Sequence, residues 1–411
     1  MFVPLLLLIY IVNSTAYSSI ACYLGPDRLV GLPAFIICEA LESLEGCSLS
    51  LAHKLMSSHD TSGSGEFVAG QLCGTEEQRK FYTQTLDAGP MVSRWMTTGY
   101  ELPFASFPPT PRSASNNKSL SVNLDFARAE IVRQVSMGIL SEVPWKPFIV
   151  NPISVVFSNK WRLVIDCRLL NPFLVKRNLK LEDLRVVPDL VSRNDFMSTD
   201  DLEKGYWQVP LNPKFRKYIG IELDGRFYVA NVLILGVSDA VYAFTKINKP
   251  IIRYVRSQGV KAAVYIDDFF TCQQPLSLAT KNRTFLISVL VRCGWILSAP
   301  KHLPMSLQKI FLGLTVNSVS MEFEIPDEKL EKFFLILNRV KSAGVMPVRL
   351  LASLLGLLNS FSKAIGQVVR LMTRHLYKCL DPAYNSKEQW NANTSLSKEA
   401  EVELEFWRLK D

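Results

Sequence analysis

The chain has 411 residues, of which 48% are apolar, so it can bury the cores of two or three domains and is globular. Its formal net charge of +8 is a small excess for this length, compatible with a polyanionic partner without requiring one. Eight cysteines lack Cys-x-x-Cys spacing, and four histidines form no zinc-like pair, so neither a disulfide framework nor structural zinc is indicated. Reduced core thiols are expected at Cys167, Cys272, Cys293 and Cys379.

The N-terminal segment, residues 1–90, has no readable role. The apolar run Val3–Val12 resembles the core of a secretory signal peptide, but it lacks a basic start and is shorter than the roughly 20 residues of a membrane span. Three interpretations stay open: a working signal, a buried helix or strand, and sequence from an incidental upstream reading frame. The segment Ser57–Gly65 is rich in serine and glycine and is expected to be a disordered connector.

Regular structure is predicted from residue 91 onward. An ordered stretch, Ser93–Phe104, precedes the proline-rich loop Pro108–Asn117. From Asn123 the apolar spacing predicts an amphipathic helix that Gly138 ends. The apolar side chains expected on its buried face are Leu124, Ala127, Ile131, Val132 and Val135.

Two strands joined at Ser158–Asn159 are predicted next, over Asn151–Phe157 and Lys160–Asn171. Between Lys160 and Arg185 seven basic residues outnumber three acidic ones, which favours a surface that handles phosphate over an ordinary solvated face. The second strand contains Arg162, whose planar fork suits phosphate oxygens, and an expected local ion pair between Asp166 and Arg168.

Adjacent carboxylates lie inside the apolar run Val264–Phe269, at Asp267 and Asp268. Two carboxylates about 4 Å apart repel by roughly 4 kcal/mol at an effective dielectric near 20, and a divalent cation would remove that cost. Because side chains alternate along a strand, both can approach one site only at a break, which predicts a β-hairpin turn. A plain polar turn is the alternative.

A third carboxylate is expected to join this pair. Asp201 follows a strand-like run that begins at Phe196, and it precedes Asp267 by 66 residues. Two-metal phosphoryl-transfer enzymes take carboxylates from separate strands to hold ions about 3.5–4 Å apart.

The C-terminal part is predicted to be helical, over Leu330–Lys341, Pro347–Leu380 and Ser397–Arg408. Within the second of these, Arg370, Arg374 and Lys378 recur every four residues. They are expected to form a basic stripe that could follow a phosphate backbone, with simple solvation of a helix as the equal alternative.

Taken together, these motifs resemble those of reverse transcriptases. The matching stretches are Lys160–Asn171, Asp201–Gln208, Leu233–Lys246, Tyr265–Asp268, Cys293–Lys301 and Phe311–Leu314. Trp95, Gly99–Tyr100 and Pro108–Pro109 further resemble the lead-in of DIRS-like retroelements, the tyrosine-recombinase class.

The resemblance implies an α+β right-hand polymerase fold with fingers, an antiparallel palm sheet and a helical thumb. The expected domains are a lead-in at 91–150, fingers and palm at 151–315, a thumb at 316–385 and a helical tail at 386–411. In the family such a tail leads towards a ribonuclease H domain, which is missing here. Cys293–Lys301 is expected to supply a palm strand and loop, and Phe311–Leu314 the primer-grip hairpin.

The resemblance also implies the roles of the site residues. Asp201, Asp267 and Asp268 would be catalytic and would bind two Mg²⁺ ions, with Mn²⁺ as a substitute. Arg162 and Lys301 would meet the triphosphate, Tyr206 the sugar, and Leu235 with Gly236 the rest of the nucleotide. Three positions depart from the family, Ile234, Leu235 and Val241, and Asp200 adds an acid that either faces solvent or raises metal affinity.

The function implied is RNA-directed DNA polymerisation in retrotransposon replication, in the cytoplasm or nucleus. The implied partners are a primed RNA or DNA template and deoxynucleoside triphosphates, without a stable membrane span, in a chain that could belong to a longer polyprotein. One alternative is a catalytically weak or inactive remnant that binds nucleic acid, which the departures near Ile234 favour. An RNA-dependent RNA polymerase is disfavoured by Tyr206.

Overall fold

The computed structural model describes residues 67–108, 110–298, 304–385 and 389–408. The apolar run Val3–Val12, the connector Ser57–Gly65 and Lys301 lie outside these ranges. Within the described ranges, no helix combines the length and apolarity that a membrane crossing requires.

The strands, in chain order, are short. They are β1 Arg112–Ser113, β2 Leu140–Val143, β3 Ile149–Val150, β4 Ile153–Ser158, β5 Lys160–Ile165, β6 Phe196–Asp201, β7 Gly220–Leu223, β8 Arg226–Ala230, β9 Ala262–Tyr265, β10 Asp268–Gln273, β11 Gln308–Phe311, β12 Leu314–Asn317, β13 Glu322–Glu324, β14 Met346–Pro347 and β15 Asn393–Thr394.

The α-helices range from one turn to five. They are α1 Glu76–Lys80, α2 Gly89–Thr98, α3 Lys118–Val122, α4 Leu124–Ser136, α5 Val187–Leu190, α6 Gly205–Gln208, α7 Ala240–Ser257, α8 Leu276–Arg292, α9 Asp327–Ser342, α10 Val348–Ser360, α11 Ser362–Ile365, α12 Val368–Leu371, α13 Arg374–Lys378, α14 Asp381–Asn385 and α15 Lys398–Arg408.

The chain divides into two compact units, which interleave along the sequence. Unit 1 takes the described residues of Met1–Leu179, Leu202–Gln258 and Ser277–Ala299, and unit 2 takes those of Lys180–Asp201, Gly259–Leu276 and Pro300–Asp411.

Unit 1 is built on a five-stranded sheet in the order β1-β3-β7-β8-β2, and the β4–β5 hairpin forms a separate two-stranded sheet. Helix α7 supplies much of the core because apolar residues recur at its three- and four-residue steps. Ala243, Phe244, Ile247, Ile251 and Val255 along it are all fully buried.

Residues 67–88, where the sequence shows no motif, belong to the body of unit 1. Tyr82 is fully buried and donates its hydroxyl hydrogen to the carbonyl of Ile247, at 2.8 Å. Leu72 and Leu86 are also buried. This part of the N-terminal segment is therefore structural.

The amphipathic helix predicted from Asn123 is present as α4, and Gly138 follows it with a φ of +75°. The predicted buried face is wrong in part. Ala127 and Ile131 are buried, but Val132 is 70% exposed and Val135 is exposed as well. Gln134 takes the buried position instead and donates to the carboxylate of Glu130 at 2.7 Å, which satisfies its amide.

Unit 2 contains two antiparallel three-stranded sheets, in the orders β6-β10-β9 and β11-β12-β13. The predicted hairpin at Phe311–Leu314 is confirmed, because Phe311 pairs with Leu314 across a turn whose two residues, Leu312 and Gly313, both have positive φ. Met197, Phe270 and Phe311 pack in one core between these sheets.

The helical part of unit 2 has its own core. Helices α9 and α10 contribute Phe333, Leu337, Leu354 and Leu358, and the last helix, α15, contributes Trp407 among others. The indole N–H of Trp407 donates to the carbonyl of Met372 at 2.8 Å. The tail helix therefore belongs to the same apolar core as α9 and α10.

Two predicted elements are wrong in detail. The helix predicted over Pro347–Leu380 is four helices, α10 to α13, separated at Phe361, at Gly366 and around Thr373. The strand predicted from Cys293 is reduced, within the described residues up to 298, to an isolated bridge between Leu297 and Leu202.

Candidate active site and metal centre

Asp201 and Asp268 lie directly opposite each other at one end of the β6-β10-β9 sheet. Residue by residue, β6 pairs with β10 from Phe196 opposite Gln273 to Asp201 opposite Asp268. Directly opposed residues on antiparallel strands project to the same face. The pairing therefore places two carboxylates side by side.

Asp267 is brought to the same place by the turn between β9 and β10. Tyr265 pairs with Asp268, so Ile266 and Asp267 form a two-residue hairpin loop. The predicted turn is present, but it contains only Asp267 of the adjacent pair, because Asp268 is the first residue of β10. Ile266 has a φ of +58°, a left-handed conformation that a β-branched residue adopts only under strain. Because the loop breaks the alternation of the strand, consecutive carboxylates reach one site.

The three aspartates offer oxygen atoms that all lie within 4.8 Å of one another. Burial raises the pKa of Asp267, and the charge of Asp201 raises it further. Burial also raises the pKa of Asp268, to about 6, with contributions from Asp267 and Asp201. The site thus brings together one exposed and two partly buried carboxylates.

The donor set fits a hard divalent cation. All three ligand groups are carboxylates, and Mg²⁺ and Ca²⁺ prefer oxygen donors, whereas zinc sites usually include His or Cys. A bound cation would offset both the cost of burying these charges, which is the main cause of the raised pKa values, and the smaller repulsion among them.

Asp200 is excluded from this cluster by the alternation of the strand. It pairs with the fully buried Phe269, on the face opposite Asp201. Its carboxylate accepts a hydrogen bond from the hydroxyl of Ser198, at 3.3 Å. The assignment of Asp201 as the candidate ligand thus agrees with the geometry.

The strands that carry the aspartates are fixed by polar side chains. Lys261, just before β9, is 2.9 Å from the fully buried carboxylate of Asp195, just before β6. On the outer edge of the sheet, the backbone N–H of Val264 donates to the carboxylate of Glu182, at 3.2 Å. The ion pair links the start of β9 to the start of β6. Glu182 accepts a hydrogen bond from a backbone N–H that would otherwise be unpaired on the edge strand β9.

Arg162, the candidate triphosphate ligand, lies on β5 in unit 1 and is exposed. The predicted hairpin is confirmed, with Val156 opposite Arg162 and a reversal at Ser158–Asn159. The predicted ion pair is also present, with Arg168 and Asp166 2.5 Å apart. The hydrogen bond from the Arg168 side chain is the main reason why the pKa of Asp166 is lowered.

Gly236 and Leu235 lie in the loop before α7. Gly236 has a φ of +110°, and a Cβ added there would stand 2.7 Å from the carbonyl oxygen of Ile165, so the position requires glycine. Asn171 holds this loop from both ends of its amide, donating to the carbonyl of Gly236 and accepting from the N–H of Ser238, each at 2.9 Å. Leu235 is 63% exposed, and Ile234 beside it is buried.

A buried polar cluster lies just beyond this loop. Tyr100 donates its hydroxyl hydrogen to Asp239 at 2.5 Å, and Arg177 lies 3.3 Å from the same carboxylate. Burial raises the pKa of Asp239, although Tyr100 and Arg177 oppose the shift. Tyr100, from the Gly-Tyr pair of the lead-in, therefore holds Asp239 in place just before α7.

Tyr206, the candidate sugar contact, is 9% exposed, and its ring packs on that of Phe244, with centroids 4.8 Å apart. Its orientation is fixed by packing. Lys301 lies outside the described residues.

The predicted basic stripe does not form on one helix. Arg370 belongs to α12, whereas Arg374 and Lys378 belong to α13, and the chain leaves helical geometry at Met372 and Thr373. All three side chains are exposed. Their fourfold spacing therefore does not give the regular row that a continuous helix would.

Several supporting residues had no role in the sequence interpretation. Asn171 is the last residue of the matched stretch Lys160–Asn171, and Glu182 is one of the three acids in the basic stretch Lys160–Arg185. Tyr100 was noted as half of a Gly-Tyr pair. Each of these residues acts through a hydrogen-bond partner that is distant in sequence. Local sequence spacing does not indicate such a partner.

The architecture is that of the right-hand polymerases, a mixed fold of helices and antiparallel sheets. Among solved structures, the foamy viral protease-reverse transcriptase in complex with RNA/DNA hybrid superimposes with a TM-score of 0.57 at 16% identity, covering 85% of this chain and 45% of that chain. The structure described as the foamy viral protease-reverse transcriptase dRH in complex with ds DNA superimposes with a TM-score of 0.55 at 17% identity. That match covers 85% of this chain and 59% of that chain.

Residues 151–316 match the family model described as Reverse transcriptase (RNA-dependent DNA polymerase). This stretch, which is less than half of the chain, is therefore similar to a reverse transcriptase domain.

Viral polyproteins are similar over a longer stretch. The genome polyprotein of Petunia vein clearing virus (isolate Hohn) is 24% identical over 309 residues, 70% of this chain and 14% of the polyprotein. The enzymatic polyprotein of Cestrum yellow leaf curling virus is 26% identical over 237 residues, which are 56% of this chain and 35% of that polyprotein. The chain thus spans well under half the length of these relatives.

Proposed function

We propose that this chain is an RNA-directed DNA polymerase of a retroelement, which extends a DNA primer with deoxynucleoside triphosphates on an RNA or DNA template. The observation that carries the proposal is the convergence of Asp201, Asp267 and Asp268 on one site at the end of the palm sheet. The reverse transcriptase domain match over residues 151–316 supports it.

In this proposal, the three aspartates hold two Mg²⁺ ions, and Mn²⁺ serves as a substitute. The ions, when bound, would activate the primer hydroxyl and neutralise the departing pyrophosphate. Asp201 and Asp267 provide the principal ligands, and Asp268, whose pKa is about 6 without a cation, completes the second site. The strained turn at Ile266 keeps the two consecutive carboxylates on the same side.

The nucleotide contacts are assigned as follows. Arg162 binds the triphosphate, because its guanidinium is exposed on a two-stranded ribbon and has the geometry to bind two phosphate oxygens. At Gly236 the backbone approaches the nucleotide, and at Leu235 an exposed apolar side chain approaches it. Tyr206 limits the space beside the sugar, and Lys301 approaches the leaving pyrophosphate. Arg370, Arg374 and Lys378 contribute separately to binding the duplex backbone.

Two finer assignments belong to the same proposal. The Trp95 and Gly99–Tyr100 lead-in favours a DIRS-like element, which a phylogeny of the palm sequences would test. Because the enzyme consumes deoxynucleoside triphosphates, we place its action in the cytoplasm or nucleus, where tagged full-length protein should be found.

A primer-extension assay with Mg²⁺ on an RNA template tests the function. The full chain should incorporate deoxynucleotides, and Asp267→Asn and Asp201→Asn should lower the rate at least a hundredfold. Asp200→Asn is the matched control, since that neighbour faces away from the cluster, and it should stay within about threefold of the original rate.

The competing function is a nucleic-acid-binding remnant without useful catalysis. The exposed Leu235, at a position where the family has an aromatic ring or glutamine, favours it. Incorporation by the full chain no greater than that of Asp267→Asn, with retained binding of primed template, would select the remnant and reject the polymerase.

A further inference from the structure

An open cavity of about 610 Å³ lies in unit 1, and none of the residues assigned above to catalysis or nucleotide binding lines it. It is formed by β2, β8 and the 3₁₀ turn Pro213–Tyr218. The lining residues that matter chemically are Ser141, Trp145, Lys214, Arg216, Lys217 and Asn231.

The cavity carries concentrated positive charge. Lys214, Arg216 and Lys217 come from a single turn, and no carboxylate stands among the described residues that line the cavity. Lys214 and Lys217 are exposed, whereas Arg216 is half-buried, and burial alone lowers its pKa. A partly buried cation without a carboxylate partner is costly, and a bound anion would reduce that cost.

Strand alternation directs the neighbouring acid on β2, Glu142, away from the cavity. Ser141 on β2 pairs with Val229 on β8, and both line the cavity. Glu142, the next residue, faces the other side of the sheet, where it lies 3.7 Å from Arg226. The positive charge is therefore not neutralised from the β2 strand.

The lining of the cavity also offers a hydrogen-bond donor. The amide nitrogen of Asn231 donates to the carbonyl of Gly138 at 3.0 Å and to the hydroxyl oxygen of Ser141 at 2.7 Å. Because Ser141 accepts that bond, its own hydroxyl hydrogen can be donated to a ligand. Trp145, another lining residue, is 46% exposed.

We propose that this cavity binds one nucleotide unit, with its phosphate at Arg216 and the flanking lysines and its base against Trp145. Guanidinium groups match phosphate oxygens, exposed aromatic rings stack on unpaired bases, and the volume lies in the usual range for small-ligand sites. The unit comes either from a free nucleotide or from a single-stranded nucleic acid. The cavity uses none of Asp201, Asp267 and Asp268.

The test measures binding to the full chain in EDTA, so that divalent ions do not contribute and polymerase activity is not needed. The probes are 5′-dAMP and a fluorescent single-stranded oligo(dA). The variants are Lys214→Gln/Lys217→Gln and Trp145→Ala. The charge-matched control is Lys118→Gln/Lys249→Gln, which removes two exposed lysines of unit 1 that do not line the cavity. Thermal melting establishes that each variant is folded.

The double lysine variant should lose at least fivefold in affinity relative to its control, and Trp145→Ala should lose a similar factor. A loss seen with oligo(dA) assigns the cavity to a nucleic-acid strand, and a loss confined to 5′-dAMP assigns it to a free nucleotide. Equal affinities of the double lysine variant and the control, with both probes, would overturn the site. An unchanged Trp145→Ala would overturn the base contact.

Discussion

Asp201 and Asp268 occupy directly opposed positions on antiparallel strands, an arrangement in which two like charges destabilise a sheet. The fold tolerates this pair, together with Asp267, at the end of a sheet whose other positions are mostly apolar or hydrogen-bonded. The cost of that arrangement can be measured.

Asp268→Asn should stabilise the metal-free protein at neutral pH. The folded-state pKa of Asp268, about 6, lies above its ordinary value of 3.8, so its charge opposes folding above pH 6 and ceases to do so below about pH 4. Discounted for solvent screening, the gain is about 1 kcal/mol. Thermal melting in EDTA at pH 7.5 and pH 5 should show a gain that shrinks at the lower pH.

Asp189→Asn, at an exposed carboxylate on α5, is the control for this experiment and should change little. Added Mg²⁺ should raise the melting temperature of the original protein more than that of Asp268→Asn, since a cation stabilises only the state that binds it. A lower melting temperature of Asp268→Asn in EDTA at pH 7.5 would contradict the electrostatic account.

Tyr206→Ala should admit ribonucleotides, if the ring limits the space beside the sugar. The same change removes a ring that packs on Phe244 and should lower the free energy of unfolding by about 3 kcal/mol. Tyr206→Phe keeps the ring and should keep the discrimination. The ratio of ribonucleotide to deoxyribonucleotide incorporation measures it, and equal ratios for the Ala and Phe variants would reject the steric role.

Gly236→Ala should distort the loop before α7. The new Cβ would approach the carbonyl oxygen of Ile165 to 2.7 Å, and the backbone φ of +110° adds strain. Gly225→Ala is the control, because its φ is also positive at +74° but its surroundings are open, and it should cost only about 1 kcal/mol. We expect Gly236→Ala to cost at least 1 kcal/mol more in urea unfolding and to raise the KM for deoxynucleotides. Equal costs would show that the loop yields easily.

Glu403→Ala should destabilise the helical core of unit 2. The buried carboxylate of Glu403 on α15 accepts hydrogen bonds from the backbone N–H groups of His375 and Leu376, at 2.9 to 3.0 Å. Removing it would leave the buried N–H of Leu376 and the partly buried N–H of His375 without this acceptor, at a cost of about 2 kcal/mol. Glu401→Ala, at an exposed position of the same helix, should cost under about 0.5 kcal/mol. Similar denaturation midpoints for the two variants would contradict this role.

Part of the carboxylate cluster was predictable from local physics, because adjacent aspartates in an apolar run require a turn. The third member, 66 residues earlier, was not local, and the choice of Asp201 over Asp200 rested on the resemblance to the reverse transcriptase motif at Asp201–Gln208. The β4–β5 and β11–β12 hairpins were predictable for the same reason, since each combines two strand-like runs with a short connection.

The helical region was less predictable because short helices satisfy the same apolar spacing as a long one. Gly366, with a φ of +86°, interrupts the run Pro347–Leu380, yet Leu354, Leu358, Phe361 and Leu376 are buried as the periodicity requires. The exposure of Val132 and the burial of Glu403 depend on partners far away in sequence, which a single-chain pattern does not contain.

The position of Trp407 in the same core as α9 and α10 bears on how the polymerase region can be produced alone. A recombinant version shortened to residue 380 would lose Ala400, Leu404 and Trp407 and leave apolar side chains of α9 and α10 in contact with water. Such a product should aggregate, so the practical boundary for expression lies no earlier than Arg408.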